Sequence, residues 1–477
     1  MNITALSIGG ADVETSHRTP VINPATEDVC GYFFEAEVSH ALDACLAVDA
    51  AFAEWSRVPA PQKRVVLREI ANQIRKHCED IAATITAEVG KPLAEARAEV
   101  GSSAASFEWA AEEIFRMKDA TIDGFIPGNR VKTRRQPIGP VLALTPWNFP
   151  FNLPARKVAS ALAAGCSVIL RPAPEAPASA AALVACCIQA GLPHGAVNLL
   201  LGHHEATVKP LMADPRIRCV SLTGSMRVGQ ILIAQSARTV KPLILELGGH
   251  APVIVLADAD VGAAAKAGAL AKFRNAGQVC VSPTRFIVDE TVYDRFVETF
   301  LETTRQIVIG NGADPATTMG PLTTSRQLAH IEALVADAIG QGATLACGGC
   351  RVAGQEQGFF YEPTVLLDVP AQANVQQEEP FGPLAIINRF SEVDEAIALA
   401  NSNEAGLAGY IFGKSQRLLD KVADALEVGL VGVNTMALSA VEAPFGGVKQ
   451  SGYGKEGGRA GIEAFQIVKT HHIAGNS

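Results

Sequence analysis

Cys280 closes the string Phe273-Arg-Asn-Ala-Gly-Gln-Val-Cys280, just beyond a helix-like stretch from Val261 to Arg274, and this position suits a thiol held at a helix end in a cleft. A cysteine there serves either as a nucleophile through its thiolate or as inert packing, the commoner fate of the residue. Glu246 ends the apolar run Leu243-Ile244-Leu245 and is followed by two glycines. An isolated carboxylate is costly to bury, so this placement points to acid–base work or to the plainer task of capping a helix. Thr223-Gly-Ser-Met-Arg-Val-Gly229 follows a further apolar run and opens a helical pattern. Free N–H groups at a helix N-terminus, approached past glycine, suit a diphosphate; an ordinary helix-entry turn suits the same residues equally. No G-x-G-x-x-G fingerprint follows the first strand.

Such groups need a scaffold. Val141–Leu144, Ser167–Leu170, Val197–Leu200, Cys219–Leu222 and Leu243–Leu245 are short apolar runs separated by helix-length segments. The pattern predicts buried parallel strands in a doubly wound sheet. A second series, Pro252–Val255, Arg285–Val288, Tyr410–Phe412 and Leu430–Val433, predicts a second α/β domain. Ser39 to Trp55 reads as a helix, and the apolar spacing at Leu67, Ile70, Ile74, Cys78, Ile81 and Ile85 predicts one amphipathic helix over Val66 to Val89. Thr121 to Gln136 and Ala464 to Ile473 fit neither series and read as strand-like pieces outside both domains. No Pro/Ser-rich linker separates the halves, so close packing is expected.

With 477 residues, 48% hydrophobic and 19% charged, the chain can bury more than one core. A net charge of −9 leaves no basic field for a phosphate polymer, which excludes nucleic acid as an expected partner. No basic start followed by an apolar run marks a secretory signal, and no apolar stretch approaches the roughly 18 residues of a membrane span. Ten scattered cysteines form no disulfide framework, so the expectation is a soluble, cytoplasmic protein. Cys347-Gly-Gly-Cys350 has metal-ligand spacing but no matching second pair, and no metal site is expected.

Five segments weigh these readings toward chemistry: Thr145-Pro-Trp-Asn-Phe-Pro-Phe151, Leu245-Glu-Leu-Gly-Gly249, Phe273 to Cys280, Glu378-Glu-Pro-Phe-Gly-Pro383 and Pro444-Phe-Gly-Gly-Val-Lys449. In order, spacing and content the chain resembles the aldehyde dehydrogenase superfamily over essentially its whole length. The resemblance implies that Cys280 attacks an aldehyde as a thiolate, and that the Asn148 amide and the Cys280 N–H stabilise the oxyanion. It implies Glu246 as the general base for hydrolysis of the thioester. It implies NAD or NADP as cofactor, with Trp147, Gly224 and Ser225 at the nucleotide and diphosphate and Glu379 and Phe381 at the nicotinamide ribose. Arg171-Pro-Ala-Pro174 departs from the common pattern, which has lysine at the place of Arg171 and often glutamate at that of Pro174. Without that glutamate NADP loses its main obstacle and gains a guanidinium, whereas Glu175 favours NAD, so both cofactors stay open.

Within the superfamily the chain looks most like succinate semialdehyde dehydrogenases. That likeness implies a small aldehyde with a distal carboxylate, bound by Arg156, Arg274 and Ser439. Oxoglutarate semialdehyde dehydrogenases are similar through Lys272 to Cys280 and Ser282 to Arg285, and arginines alone do not separate the two. Ser282 stands where some succinate semialdehyde enzymes carry a second cysteine, so their disulfide switch is not expected. The implied architecture is a nucleotide-binding domain over 1–118 and 138–248, a catalytic domain over 249–445, and a small β oligomerisation element over 119–137 and 460–477. The implied assembly is a homodimer or homotetramer. A catalytically silent structural or binding protein on the same fold is the rival from another class.

Overall fold

The computed structural model describes residues 3–126 and 128–474; the first two and last three positions of the expected segments, and position 127, lie outside it. All five apolar runs of the first series are strands. They lie in the order Leu243–Glu246, Cys219–Thr223, Val141–Thr145, Val168–Pro172 and Val197–Leu199, all parallel, and an antiparallel hairpin of Leu6–Ile8 and Ala11–Val13 extends the far edge. Their inward and outward faces are both apolar and buried, as a sheet covered on both sides requires. Strand order reverses between Val141–Thr145 and Cys219–Thr223, which makes a crevice at the carboxyl ends of these two strands.

The second sheet runs Thr344–Cys347, Thr364–Leu367, Leu384–Phe390, Pro283–Asp289, Ala251–Val255, Ala408–Phe412 and Leu430–Val433. Only its first strand is antiparallel. Three of these strands, Thr344–Cys347, Thr364–Leu367 and Leu384–Phe390, were not anticipated. Runs of four apolar residues carry too few turns of either period to separate strand from helix. Each sheet has its own core; Leu243–Leu247 belongs to the first and Ala251–Val255 to the second. The chain therefore passes from one sheet to the other within the Gly248-Gly249 step.

The single helix expected over Val66 to Val89 is two, Ala60–Lys76 and Cys78–Val89, because His77 leaves the helical region at φ −100 and ψ 16. The apolar stripe continues in phase across the break, so periodicity could not reveal it. Ala120–Asp123, Arg130–Pro137 and Gln466–Ile473 form a separate antiparallel sheet, in which the C-terminal strand pairs along all of Arg130–Pro137. Among the described residues no helix is long and apolar enough to cross a membrane.

Candidate active site

The crevice receives three strand ends. Val141–Thr145 leads into Pro146-Trp147-Asn148, Cys219–Thr223 into Gly224-Ser225, and Leu243–Glu246 ends on Glu246 itself. Ser225 caps the helix Met226–Ser236, its Oγ accepting the Val228 N–H at 3.4 Å, and Gly224 and Ser225 bring the N-terminus of that helix to the crevice. Across from these ends stands the loop that enters Pro283–Asp289 at its amino end. Helix Val261–Phe273 stops there, and Asn275, Ala276 and Gly277 follow in left-handed conformation, with φ of 50, 52 and 73.

Two non-glycine residues in that region persist only if their surroundings over-determine them. Asn275 N–H donates to Glu95 Oε2 at 3.0 Å, and Asn275 Nδ2 donates to the carbonyls of Asn148 and Gln278 at 3.1 and 3.2 Å. Gln278 Oε1 in turn accepts the Thr323 N–H at 2.9 Å. Gly277 has no alternative, since a Cβ there would lie 2.0 Å from the Gly382 carbonyl oxygen. The loop is thus held rigidly, and Cys280 stands at its end.

Two cavities meet at Cys280. One, of about 250 Å³, is lined by Trp147, Gly224, Ser225, Glu246, Glu379 and Phe381, with Asn148 beside Cys280. The Trp147 and Phe381 rings meet edge to face, 5.6 Å between centroids. The other, of about 170 Å³, is lined by Arg156, Arg274, Ser439, Phe149, Phe445 and Glu95. Arg156 is 8% exposed, stacks over Phe445 at 4.9 Å and has no ion-pair partner among the described residues. Arg274 and Ser439 are exposed at the rim.

Eleven of the thirteen residues singled out in the sequence therefore line these two spaces. Arg171 and Pro174 do not. The Arg171 guanidinium is largely buried and donates from Nη2 to the Gly202 carbonyl at 2.6 Å, while its Nε has no partner. Pro174 lines a separate hollow with Glu175 and Thr323 to Ser325.

Burial sets the proton affinities. Glu246 is 1% exposed and faces the Cys280 thiol, and its carboxyl has no other hydrogen-bond partner among the described residues. Burial, and then the neighbouring Glu456 charge, push its carboxyl up to about 7 against the pull of Lys157. The Cys280 thiol is raised well above its ordinary value by burial and by the Glu246 and Glu379 charges, and Arg156 opposes the rise at both Glu246 and Cys280. Burial also pushes Glu379 up to about 8. A thiol, a carboxyl that titrates near neutrality and an amide donor thus surround one point.

Sequence reasoning missed the pair behind Glu246. Lys157 Nζ contacts Glu456 in a buried ion pair and donates to Ser221 Oγ at 3.0 Å. Lys157 did carry a signal, since it follows Arg156 in Asn152–Ala164, a helix buried along its whole length. Glu456, 299 residues away in a glycine-rich tail, carried none.

Asn148 is 2% exposed; its Nδ2 donates to the Gln278 carbonyl at 3.0 Å and its Oδ1 has no partner. The Cys280 main-chain N–H makes no hydrogen bond among the described residues. Gly249 packs so closely behind this point that a Cβ would lie 2.5 Å from the Cys280 carbonyl oxygen. Its lack of a side chain is what lets the end of the first sheet reach the nucleophile loop of the second.

The Aldehyde dehydrogenase family model matches residues 12–471. The succinate-semialdehyde dehydrogenase [NADP(+)] of Escherichia coli K12 is 41% identical over 458 residues, covering 96% of this chain and 95% of that one. A 3-sulfolactaldehyde dehydrogenase of Pseudomonas putida is 43% identical over 449 residues, covering 94% and 92%. The crystal structure of succinate-semialdehyde dehydrogenase from Burkholderia pseudomallei superimposes with a TM-score of 0.97 at 40% identity, covering 99% of this chain and 98% of that one.

Proposed function

The chain belongs to the aldehyde dehydrogenase family, and on that premise we propose that it oxidises succinate semialdehyde to succinate with NAD or NADP through a thioester on Cys280. The observation that carries this reading is that Cys280 is shared by two cavities, of which only one holds arginines. One offers a helix N-terminus, an aromatic pair and a buried carboxylate. The other offers two guanidinium groups and the Ser102 and Ser439 hydroxyls, with Glu95 and Glu99 also in its lining, Glu99 held by Lys91 and Glu95 by the Asn275 N–H.

The first cavity fits a nicotinamide nucleotide. Gly224, Ser225 and the free N–H groups of Met226–Ser236 suit the diphosphate, and Glu379 can accept hydrogen bonds from ribose hydroxyls. When bound, the nucleotide supplies the two-electron acceptor for the aldehyde C–H bond.

The protein does the rest. Glu246 takes the thiol proton and passes it to solvent, which returns Glu246 to the carboxylate form; the Cys280 thiolate forms a C–S bond to the aldehyde carbon, and the carbonyl electrons move onto oxygen. Asn148 Nδ2–H, swung from Gln278, and the Cys280 N–H receive that oxyanion. One such donor is worth about 3 kcal/mol or more. After oxidation Glu246 removes a proton from water, the resulting hydroxide attacks the thioester carbon, and the C–S bond breaks to release the acid and regenerate the thiolate. Burial keeps the proton affinity of Glu246 near neutrality, with Glu456 raising it further and Lys157 lowering it.

The distal carboxylate pairs with Arg156 and Arg274. A charge-assisted contact of this kind is commonly worth about 1.5 to 3 kcal/mol. Arg274→Ala should lower kcat/KM for succinate semialdehyde roughly ten- to a hundredfold and change butyraldehyde, of equal length but uncharged, much less. Arg156→Ala is the less clean test, because its charge also acts on Cys280 and Glu246. Equal losses on both aldehydes for Arg274→Ala would remove the distal-anion reading and leave the aldehyde chemistry standing.

A second reading, a distal sulfonate, is favoured by the relative named for 3-sulfolactaldehyde. Guanidinium groups serve either anion, as they would the longer oxoglutarate semialdehyde. We expect kcat/KM to be highest for succinate semialdehyde, and NADP to be used within about tenfold of NAD, a margin of about 1.4 kcal/mol. Steady-state rates for the three aldehydes with both cofactors check this. A thousandfold preference for NAD would mean that Glu175, not Pro174, governs the adenosine ribose. By the family's general pattern we also infer a homodimer or homotetramer through the sheet of Arg130–Pro137 and Gln466–Ile473.

A further inference from the structure

Lys91 and Glu99 form an ion pair whose side chains are 0% and 1% exposed, with Lys91 on the Asn148 carbonyl and Glu99 in the lining of the cavity that holds Arg156 and Cys280. Lys91 follows the left-handed cap Gly90 of helix Cys78–Val89, and Glu99 lies in the next helix, Leu93–Glu113. Replacing a buried pair by apolar residues of like volume is often neutral or stabilising, so fold stability alone does not account for it. Its remaining hydrogen bonds give it a purpose. Lys91 Nζ donates to the Asn148 carbonyl at 2.9 Å and sits 3.9 Å from the centre of the Phe149 ring. The second oxygen of Glu99 accepts the N–H groups of Phe151 and Asn152 at 2.9 and 3.0 Å, at the start of the helix that carries Arg156.

The segment between these contacts, Pro146 to Phe151, belongs to no strand or helix, and two of its six residues are prolines without an N–H. Its path has few anchors of its own. The Asn148 carbonyl receives only Lys91 Nζ and Asn275 Nδ2 among the described residues. The ion pair thus grips the main chain at Asn148 from one end and at Phe151 and Asn152 from the other.

We propose that Lys91, paired with Glu99, is a positioning residue that sets where the Asn148 amide meets the reacting carbon. This rests on the reading of Asn148 as the oxyanion donor. The amide must swing from Gln278 to the oxyanion while its main chain stays put, and Lys91 supplies the fixed point. A misplacement of about 1 Å at such a group costs on the order of a hundredfold in rate.

The test is a double-mutant cycle read as the first-turnover rate of cofactor reduction per active site at saturating succinate semialdehyde. Lys91→Met should slow that step roughly ten- to a hundredfold, with KM changed less than about threefold. In an Asn148→Ala background the same substitution should slow it less than about threefold, because the group it positions is gone. Active sites are counted by the stoichiometry of nucleotide binding, so partial unfolding does not enter the rate. If Lys91→Met does not fold, Lys91→Met with Glu99→Gln takes its place. The glutamine oxygen can still accept the Phe151 and Asn152 N–H groups, the pair is removed as a whole, and the Asn148 carbonyl still loses its Lys91 donor, keeping that of Asn275. Equal slowing in both backgrounds would overturn the positioning role and leave the oxyanion reading intact. No effect of Asn148→Ala alone would overturn both.

Discussion

Cys280→Ala should abolish aldehyde-dependent reduction of NAD or NADP while leaving nucleotide binding within about twofold of the parent. The loss follows from what surrounds the residue. The other hydroxyls of the two cavities, on Ser102, Thr223, Ser225 and Ser439, are far weaker nucleophiles than a thiolate at neutral pH. Removing the nucleophile of a coupled catalytic set costs on the order of 10⁶ in turnover in comparable hydrolytic sites. The substitution removes one sulfur atom at a point where two cavities already meet, so the space it leaves should cost little stability. Absorbance of the reduced nicotinamide measures the turnover, and fluorescence titration measures the binding. Residual activity near a tenth of the parent would sink the thioester mechanism.

Glu246→Gln should differ in kind. The amide is isosteric but takes no proton from water, so a burst of reduced cofactor should be followed by steady turnover slowed about 10²- to 10⁴-fold. The burst survives because removing the Glu246 charge also removes one of the causes that raise the Cys280 thiol, which offsets part of the lost base. The sign of the pH dependence is fixed by the carboxylate acting in its ionised form. With its proton affinity pushed up to about 7 by burial, parent kcat should rise with pH through about 7 wherever deacylation limits turnover. That limb should vanish in the glutamine variant. Burst and steady rate falling together would argue that Glu246 serves the attack and not the hydrolysis.

Much of this arrangement was legible in the sequence because its signals are local. A buried parallel strand is an apolar run of four or five residues, and five of them in the first sheet stand where those runs stand. Strand ends and helix starts carry their own marks, which is why Glu246, Ser225 and Cys280 could be named with the elements that bear them. Motif order did the rest for Trp147, Asn148, Glu379 and Phe381, whose types at those spacings resembled one family along the whole chain.

Tertiary structure alone decided the distribution of charge. It divided the two arginines, burying Arg156 against Phe445 and leaving Arg274 at the rim, although both sit in equally unremarkable sequence. It set Arg171 on the Gly202 carbonyl and outside the lining of both cavities. It set Lys157 against Glu456 and Lys91 against Asn148, contacts across 299 and 57 residues. Periodicity and turn chemistry report only on neighbours within a turn or two of chain. A proton affinity depends instead on every charge and every layer of apolar atoms within several ångströms, whatever their distance along the chain. The sequence therefore determined which groups could react, and only the packing of two sheets against one loop decided how strongly Glu246 and Cys280 hold their protons.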